Sequence, residues 1–137
     1  MKQLSALEMA AAVVLAKQVS LDGGHALVEQ LKTAEVSCRE FTGVGFYTEF
    51  SVDRALPPAV VTVSPGGGVR SEVGPDAYPL EFMLYVKEGY AEMIEAYSYF
   101  DGYGDLDVLT AAFTKPRGFD PDRVKVRSRS SKLKCER

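Results

Sequence analysis

Residues 44–52 alternate without interruption: Val44, Phe46, Thr48, Phe50 and Val52 fall on one side of an extended chain, and Gly45, Tyr47, Glu49 and Ser51 on the other. That two-residue period predicts a strand with one face in a core. Residues 80–99 repeat the signal as a hairpin. Leu80, Phe82, Leu84 and Val86 share the inward side, Glu81, Met83, Tyr85 and Lys87 the other, and the chain folds back about Lys87, Glu88 and Gly89. On the return strand Ala91, Met93, Glu95 and Tyr97 oppose Glu92, Ile94, Ala96 and Ser98, and either set suits a core.

Before residue 35 the period is helical. Ser5 and Glu8 have the spacing of a capping box, in which hydroxyl and carboxylate each satisfy a free N–H at a helix start. Leu4, Leu7, Ala11, Val14 and Gln18 mark one face, widened by Ala10, Val13 and Leu15, so this helix packs on a partner layer and ends near Val19. Asp22, Gly23 and Gly24 break it. Ala26, Leu27 and Leu31 then predict a shorter helix reaching about Thr33.

The remaining elements are shorter. Val36–Phe41 is expected as a first strand and Val60–Val63 as a brief one. Ser64–Gly68 is expected to be a flexible turn before a strand over Val69–Val73, which Gly74, Pro75 and Asp76 end. Asp101–Asp105 predicts a turn, and Leu106–Phe113 a short helix or a last strand. Val124–Ser130 has the character of an edge strand that fades near Ser131. The expected architecture is α+β, with two N-terminal helices on a mainly antiparallel sheet of five or six strands.

A chain of 137 residues with 46% apolar content supports one core. A single domain over residues 1–137 is therefore expected: a helical layer at 1–34, a sheet at 35–114 and a C-terminal extension at 115–137. The longest apolar run, Met9–Ala16, is far short of a membrane span. It also carries too little charge before it, and no cleavage signal after it, for a secretory leader. Cys38 and Cys135 are the only cysteines, and the expectation is two thiols in a reducing cytoplasm, Cys38 a buried small hydrophobe and Cys135 exposed on the tail. No metal spacing exists, His25 is the sole histidine, and neither metal nor cofactor is expected. Charge is divided unevenly. Residues 1–114 carry 7 Lys or Arg against 16 Asp or Glu, and residues 115–137 carry 9 against 3.

Candidate chemistry is sparse. Gly43 and Gly45, and Gly66 to Gly68, lack the helix and the Gly-Lys-Ser/Thr ending of phosphate loops. Asp101, Asp105 and Asp107 lack calcium-loop spacing. His25 has no nucleophile beside it, and Cys38 sits mid-strand without a distinctive neighbourhood. Glu95, with Glu92 or Glu49, is the candidate acid–base pair; a buried Glu95 would need Arg39 or a tyrosine hydroxyl as partner. Tyr47, Tyr85, Tyr90, Tyr97, Tyr99 and Tyr103 gather on the predicted sheet among Glu49, Glu81, Glu92, Glu95, Asp101 and Asp105, a composition suited to a protein interface. The basic tail, with Arg123, Lys125, Arg127, Arg129, Lys132 and Lys134, lacks the aromatics of a nucleic-acid binder. Docking on the acidic body suits it better.

Residues 39–50 (REFTGVGFYTEF), 79–89 (PLEFMLYVKEG) and 94–97 (IEAY) resemble a set of small bacterial proteins of unknown function that share the size and layout of immunity proteins. The resemblance implies a bacterial cytosolic binding protein and assigns no residue a role. The expected function is non-enzymatic: an immunity-type inhibitor that binds a basic protein through Tyr47, Glu49, Glu81, Tyr85, Glu95 and Tyr97. The alternatives are a small hydrolase or isomerase using Glu95, and a homodimeric structural subunit. Neither nucleic acid nor membrane is an expected partner.

Overall fold

A computed structural model of the protein describes residues 2–119. Two helices, α1 (Ala6–Val19) and α2 (His25–Leu31), precede β1 (Glu35–Phe41), β2 (Gly45–Ser51), β3 (Gly66–Val73), β4 (Tyr78–Lys87), β5 (Tyr90–Tyr97) and the two-residue β6 (Arg117–Gly118). The strands form one antiparallel sheet in the order β1-β2-β5-β4-β3-β6. The expected α+β architecture is present, and no described helix is long and apolar enough to cross a membrane.

The capping box forms as the spacing predicts: Ser5 Oγ accepts from Glu8 N at 3.1 Å, and Glu8 Oε1 accepts from Ser5 N at 2.7 Å. Glu8 then does more than cap. It is fully buried, and Arg39 of β1 donates to both its oxygens, Nη2 to Oε1 at 2.6 Å and Nε to Oε2 at 3.1 Å. The Thr48 hydroxyl of β2 donates to Oε2 as well. Burial would push the Glu8 carboxyl up, but the hydrogen bonds from Arg39, Thr48 and Ser5 outweigh it and hold the group below its ordinary range. One carboxylate thereby fixes α1 against the first two strands.

Around this anchor the core fills with Leu7, Ala11, Leu15, Leu27 and Leu31 from the helices and Phe46, Phe50, Val69, Leu80, Phe82, Leu84, Ile94 and Ala96 from the sheet. Gly66 is part of β3, not of a turn, because the end of α1 presses on it: a Cβ there would overlap the Val19 side chain. Val60–Val63 forms no sheet strand. It runs past the C-terminus of α1 instead, where Val19 O accepts from Thr62 N at 2.7 Å and Leu21 N donates to Val60 O at 3.0 Å. Residues 106–113 are neither helix nor strand and touch β3 through a bridge between Val73 and Phe113. The expected strand at 124–130 and the exposed thiol at Cys135 lie outside the described residues.

The β4–β5 turn has positive φ at both central residues, 54° at Glu88 and 87° at Gly89, the geometry that matches the twist of a two-residue hairpin. Gln30 of α2, fully buried, clasps this turn. Its Nε2 donates to Gly89 O at 2.9 Å and Pro57 O at 3.1 Å, and its Oε1 accepts from Ala91 N at 3.0 Å.

Two outcomes follow for stability. Gln30→Leu keeps the volume but takes the side-chain partner from Pro57 O and Ala91 N, while Gly89 O keeps its bond from Ala59 N, and urea denaturation should show a loss of about 2–3 kcal/mol. Glu8→Gln leaves Arg39 without its counter-charge and should cost about 3 kcal/mol at pH 7. Because the folded-state carboxyl titrates below the ordinary carboxylate range, that difference should be complete at neutral pH and shrink as pH falls through the acid range. Parallel denaturation curves for the two proteins down to acid pH check the sign.

Candidate functional site

The sheet has a second face. Since Thr48 and Phe46 point to the helices, the pleat turns Tyr47 and Glu49 away from them, and the register carries the same alternation across every ladder. Tyr47 pairs with Glu95, Glu49 with Met93, Met83 with Glu95, Tyr85 with Met93, and Glu81 with Tyr97. All six residues expected at a binding surface, Tyr47, Glu49, Glu81, Tyr85, Glu95 and Tyr97, therefore share one face spanning β2, β5 and β4.

The return strand resolves its ambiguity by being buried on both sides. Ile94 and Ala96 enter the helix-covered core, while on the opposite face Glu95 is 1% exposed, Glu81 5%, and Tyr47, Met93 and Tyr97 7% each. Tyr47, Met93 and Tyr97 are nonetheless not members of the main core cluster. The face is a second buried layer, not the open surface its polar composition suggests.

Its polar groups are matched unevenly. Tyr85 Oη donates to Glu95 Oε1 at 3.0 Å, so a tyrosine hydroxyl partners Glu95, and Arg39 is committed to Glu8 on the other side of the sheet. Burial pushes the Glu81 carboxyl up, against a hydrogen bond from Tyr97 and the charge of Arg70, and pushes the Tyr97 hydroxyl well above its ordinary range, with the Glu81 charge adding to the effect. Glu81 Oε1 is buried with no hydrogen-bond partner among the described residues. Arg70 stands opposite Glu81 in the register, yet its Nε donates to Glu72 Oε2 at 3.0 Å. Glu72 is saturated: Arg117 donates to both oxygens at 3.0 Å and the Thr114 hydroxyl to Oε1 at 2.9 Å, and chiefly the Arg117 bond draws its carboxyl down to about 2.

Other candidates disperse. Glu92 is the extra residue of a β-bulge where the register moves from Tyr85–Met93 to Val86–Ala91, so it does not stand beside Glu95. Glu49 does, one step along the diagonal. Tyr90 donates to Leu56 O at 2.8 Å beneath the Arg54 guanidinium, and Tyr103 to Gly45 O at 3.1 Å, so both are tied into loops. Tyr99 packs edge-on against Tyr97. His25 is exposed at the start of α2. Gly45 lies within β2, where a Cβ would overlap Ala96 O, so its lack of a side chain serves strand packing. Among the described residues no three His, Cys, Asp or Glu side chains converge as a metal site would require.

Cys38 departs from expectation. It is half-buried and disulfide-bonded, not a free thiol in the core. It pairs with Glu49, next to the Arg39–Thr48 pair that faces the helices, so its side chain belongs to the tyrosine and glutamate face. The register also adds Met83, Met93 and Arg70 to that face. Arg70 was findable from the alternation of Val69, Ser71 and Val73 with Arg70 and Glu72; which side of β5 also carries methionine required the pairing itself.

A separate cleft of about 390 Å³ is lined by Asp76, Tyr78, Tyr103 and Asp105 among others, and holds none of the six residues of the tyrosine and glutamate face. Comparison with family models, with curated proteins and with solved structures gives no match.

The Glu81 carboxyl, pushed above the ordinary carboxylate range by burial, costs stability when ionised. Glu81→Gln should therefore equal or exceed the wild type in stability at pH 7. The gain should fade as pH falls through the acid range, because Glu81 takes up its proton in the folded protein before it does so in the unfolded chain. Thermal melts at neutral and at acid pH decide it.

Proposed function

We propose that the protein is a non-enzymatic binding protein whose tyrosine and glutamate face receives a basic, extended segment of a protein partner. An immunity-type inhibitor is the specific form of this reading. The observation that carries it is the carboxylate of Glu81, buried with one oxygen lacking a donor among the described residues. An unsatisfied buried acceptor costs about 1–3 kcal/mol, and a lysine or arginine side chain supplies the missing hydrogen bond together with a counter-charge.

The surroundings support the same occupant. Tyr47, Tyr85 and Tyr97 provide rigid, amphipathic contact area with few rotors to order, and Glu49, Glu81 and Glu95 set a negative potential that speeds the encounter with a cation. The pleat supports an extended ligand because its side chains recur at the sheet's own two-residue period. The disulfide at Cys38 supports an encounter in an oxidising compartment over one in the cytoplasm.

Affinity capture from the native host with the intact protein should recover a basic protein. Retention should weaken by about tenfold or more in Glu81→Gln, and should fall with ionic strength. Recovery of a partner indifferent to both salt and Glu81→Gln would remove the basis for this reading.

A further inference from the structure

The cleft beside Tyr78 and Tyr103 shares no lining residue with the tyrosine and glutamate face, and its walls come from two loops that the fold fastens separately. In the turn between β3 and β4, Ala77 N donates to Gly74 O at 3.1 Å and Gly74 N donates to Ala112 O at 2.8 Å. The loop after β5 is held at Tyr103, whose N donates to Gly43 O at 3.0 Å and whose Oη donates to Gly45 O. Gly74 lets the two loops meet, since a Cβ there would overlap the Leu106 side chain. The cleft is thus preformed, and its volume of about 390 Å³ falls within the range of small-ligand sites.

Its lining has the chemistry of a cation site. Tyr78 and Tyr103 stand edge to face, ring centroids 5.7 Å apart at 81°, and the electron-rich faces of such rings attract a positive charge. Tyr78 Oη is buried with no hydrogen-bond partner among the described residues, an oxygen that an N–H donor would satisfy. Asp76 and Asp105 add one exposed carboxylate from each loop. Aspartates in other loops are taken up by their own backbone: Asp22 accepts from Gly24 N and Ala26 N, Asp53 from Ala55 N, and Asp107 from Leu109 N. Asp76 and Asp105 make no hydrogen bond or ion pair among the described residues. An anion finds no Lys, Arg or His in this lining, and a metal ion finds no third His, Cys, Asp or Glu converging with the two among the described residues.

From this lining we propose that the cleft binds a small organic ammonium ion, its charged head beside the carboxylates of Asp76 and Asp105 and the tyrosine rings, its apolar body against Val73, Pro75 and Leu106. The excess of acidic residues over residues 1–114, 16 against 7 basic ones, favours the approach of such a cation. The site is distinct from the face proposed for the protein partner, so either can be lost without the other.

Titration of the isotope-labelled, full-length protein with benzylammonium, followed through its amide resonances, tests the site, with benzyl alcohol and benzoate as the neutral and anionic counterparts. Benzylammonium should give saturable shifts clustered at Val73, Asp76, Tyr103 and Leu106, and bind at least about tenfold more tightly than benzyl alcohol. Benzoate should give none. A protein carrying both Asp76→Asn and Asp105→Asn, exposed positions whose side chains bond nothing in the described fold, should keep its far-ultraviolet circular dichroism and bind benzylammonium about fivefold or more weakly. Glu81→Gln should leave the binding unchanged. Absence of saturable shifts at these amides, equal affinity for benzyl alcohol, undiminished binding in the doubly substituted protein, or an equal loss in Glu81→Gln overturns the inference.

Discussion

The fold turns on a carboxylate with no water. Glu8 sits in the apolar stripe of α1, and an ionised group placed there is tolerated only if donors replace its hydration. Four do so: the Ser5 amide, two nitrogens of Arg39 and the Thr48 hydroxyl. Each comes from a different constraint. Ser5 sets where the helix begins, Arg39 sets which residue of β1 faces inward, and Thr48 does the same for β2. A one-residue slip of either strand would turn its donor to the opposite face and leave the charge unmatched. The interaction therefore selects a register more than it adds net stability.

That register has consequences on the other side of the sheet. Once Thr48 and Arg39 face the helix, the pleat turns Cys38, Tyr47 and Glu49 to the second face, and the ladders from β2 through β5 to β4 bring Glu95, Tyr97, Glu81 and Tyr85 into line with them. The polar side is thus assembled by the same alternation that builds the core. Its central strand has both faces buried, unlike the half-solvated strands that flank most antiparallel sheets.

What the sequence made legible was local. The capping box, the break at Asp22–Gly24, the alternation over 44–52 and the 80–99 hairpin each lie within a few residues of one another, and each appears where the pattern puts it. The failures are tertiary. Val60–Val63 has strand composition but is claimed by the C-terminus of α1. Gly66 to Gly68 looks like a turn until Val19 packs on it, and the two residues of β6 are too short to carry a pattern. Glu8 was visible as a charge inside an apolar run, but its partners are 31 and 40 residues away in the chain, and no local period links them.

The site was legible to the same limit. Alternation alone assigned Glu81 and Tyr85 to one face, and pairing then joined Tyr47, Glu49, Glu95 and Tyr97 to them. Alternation did not show that the face is buried, because tyrosine and glutamate mark a solvated face by composition. The physical distinction is in the matching of charges. Glu72, at the β3 edge, has Arg70, Arg117 and Thr114 and is complete within the described fold, whereas Glu81, one strand inward, keeps an oxygen without a donor among the described residues while Arg70 in the opposite position serves Glu72. If the arginine of that cross-strand pair served Glu81, the face would be electrostatically closed. Because it is drawn to the edge, the deficit stays at the centre, among the tyrosines, where a cation from outside the sheet has the most to contribute.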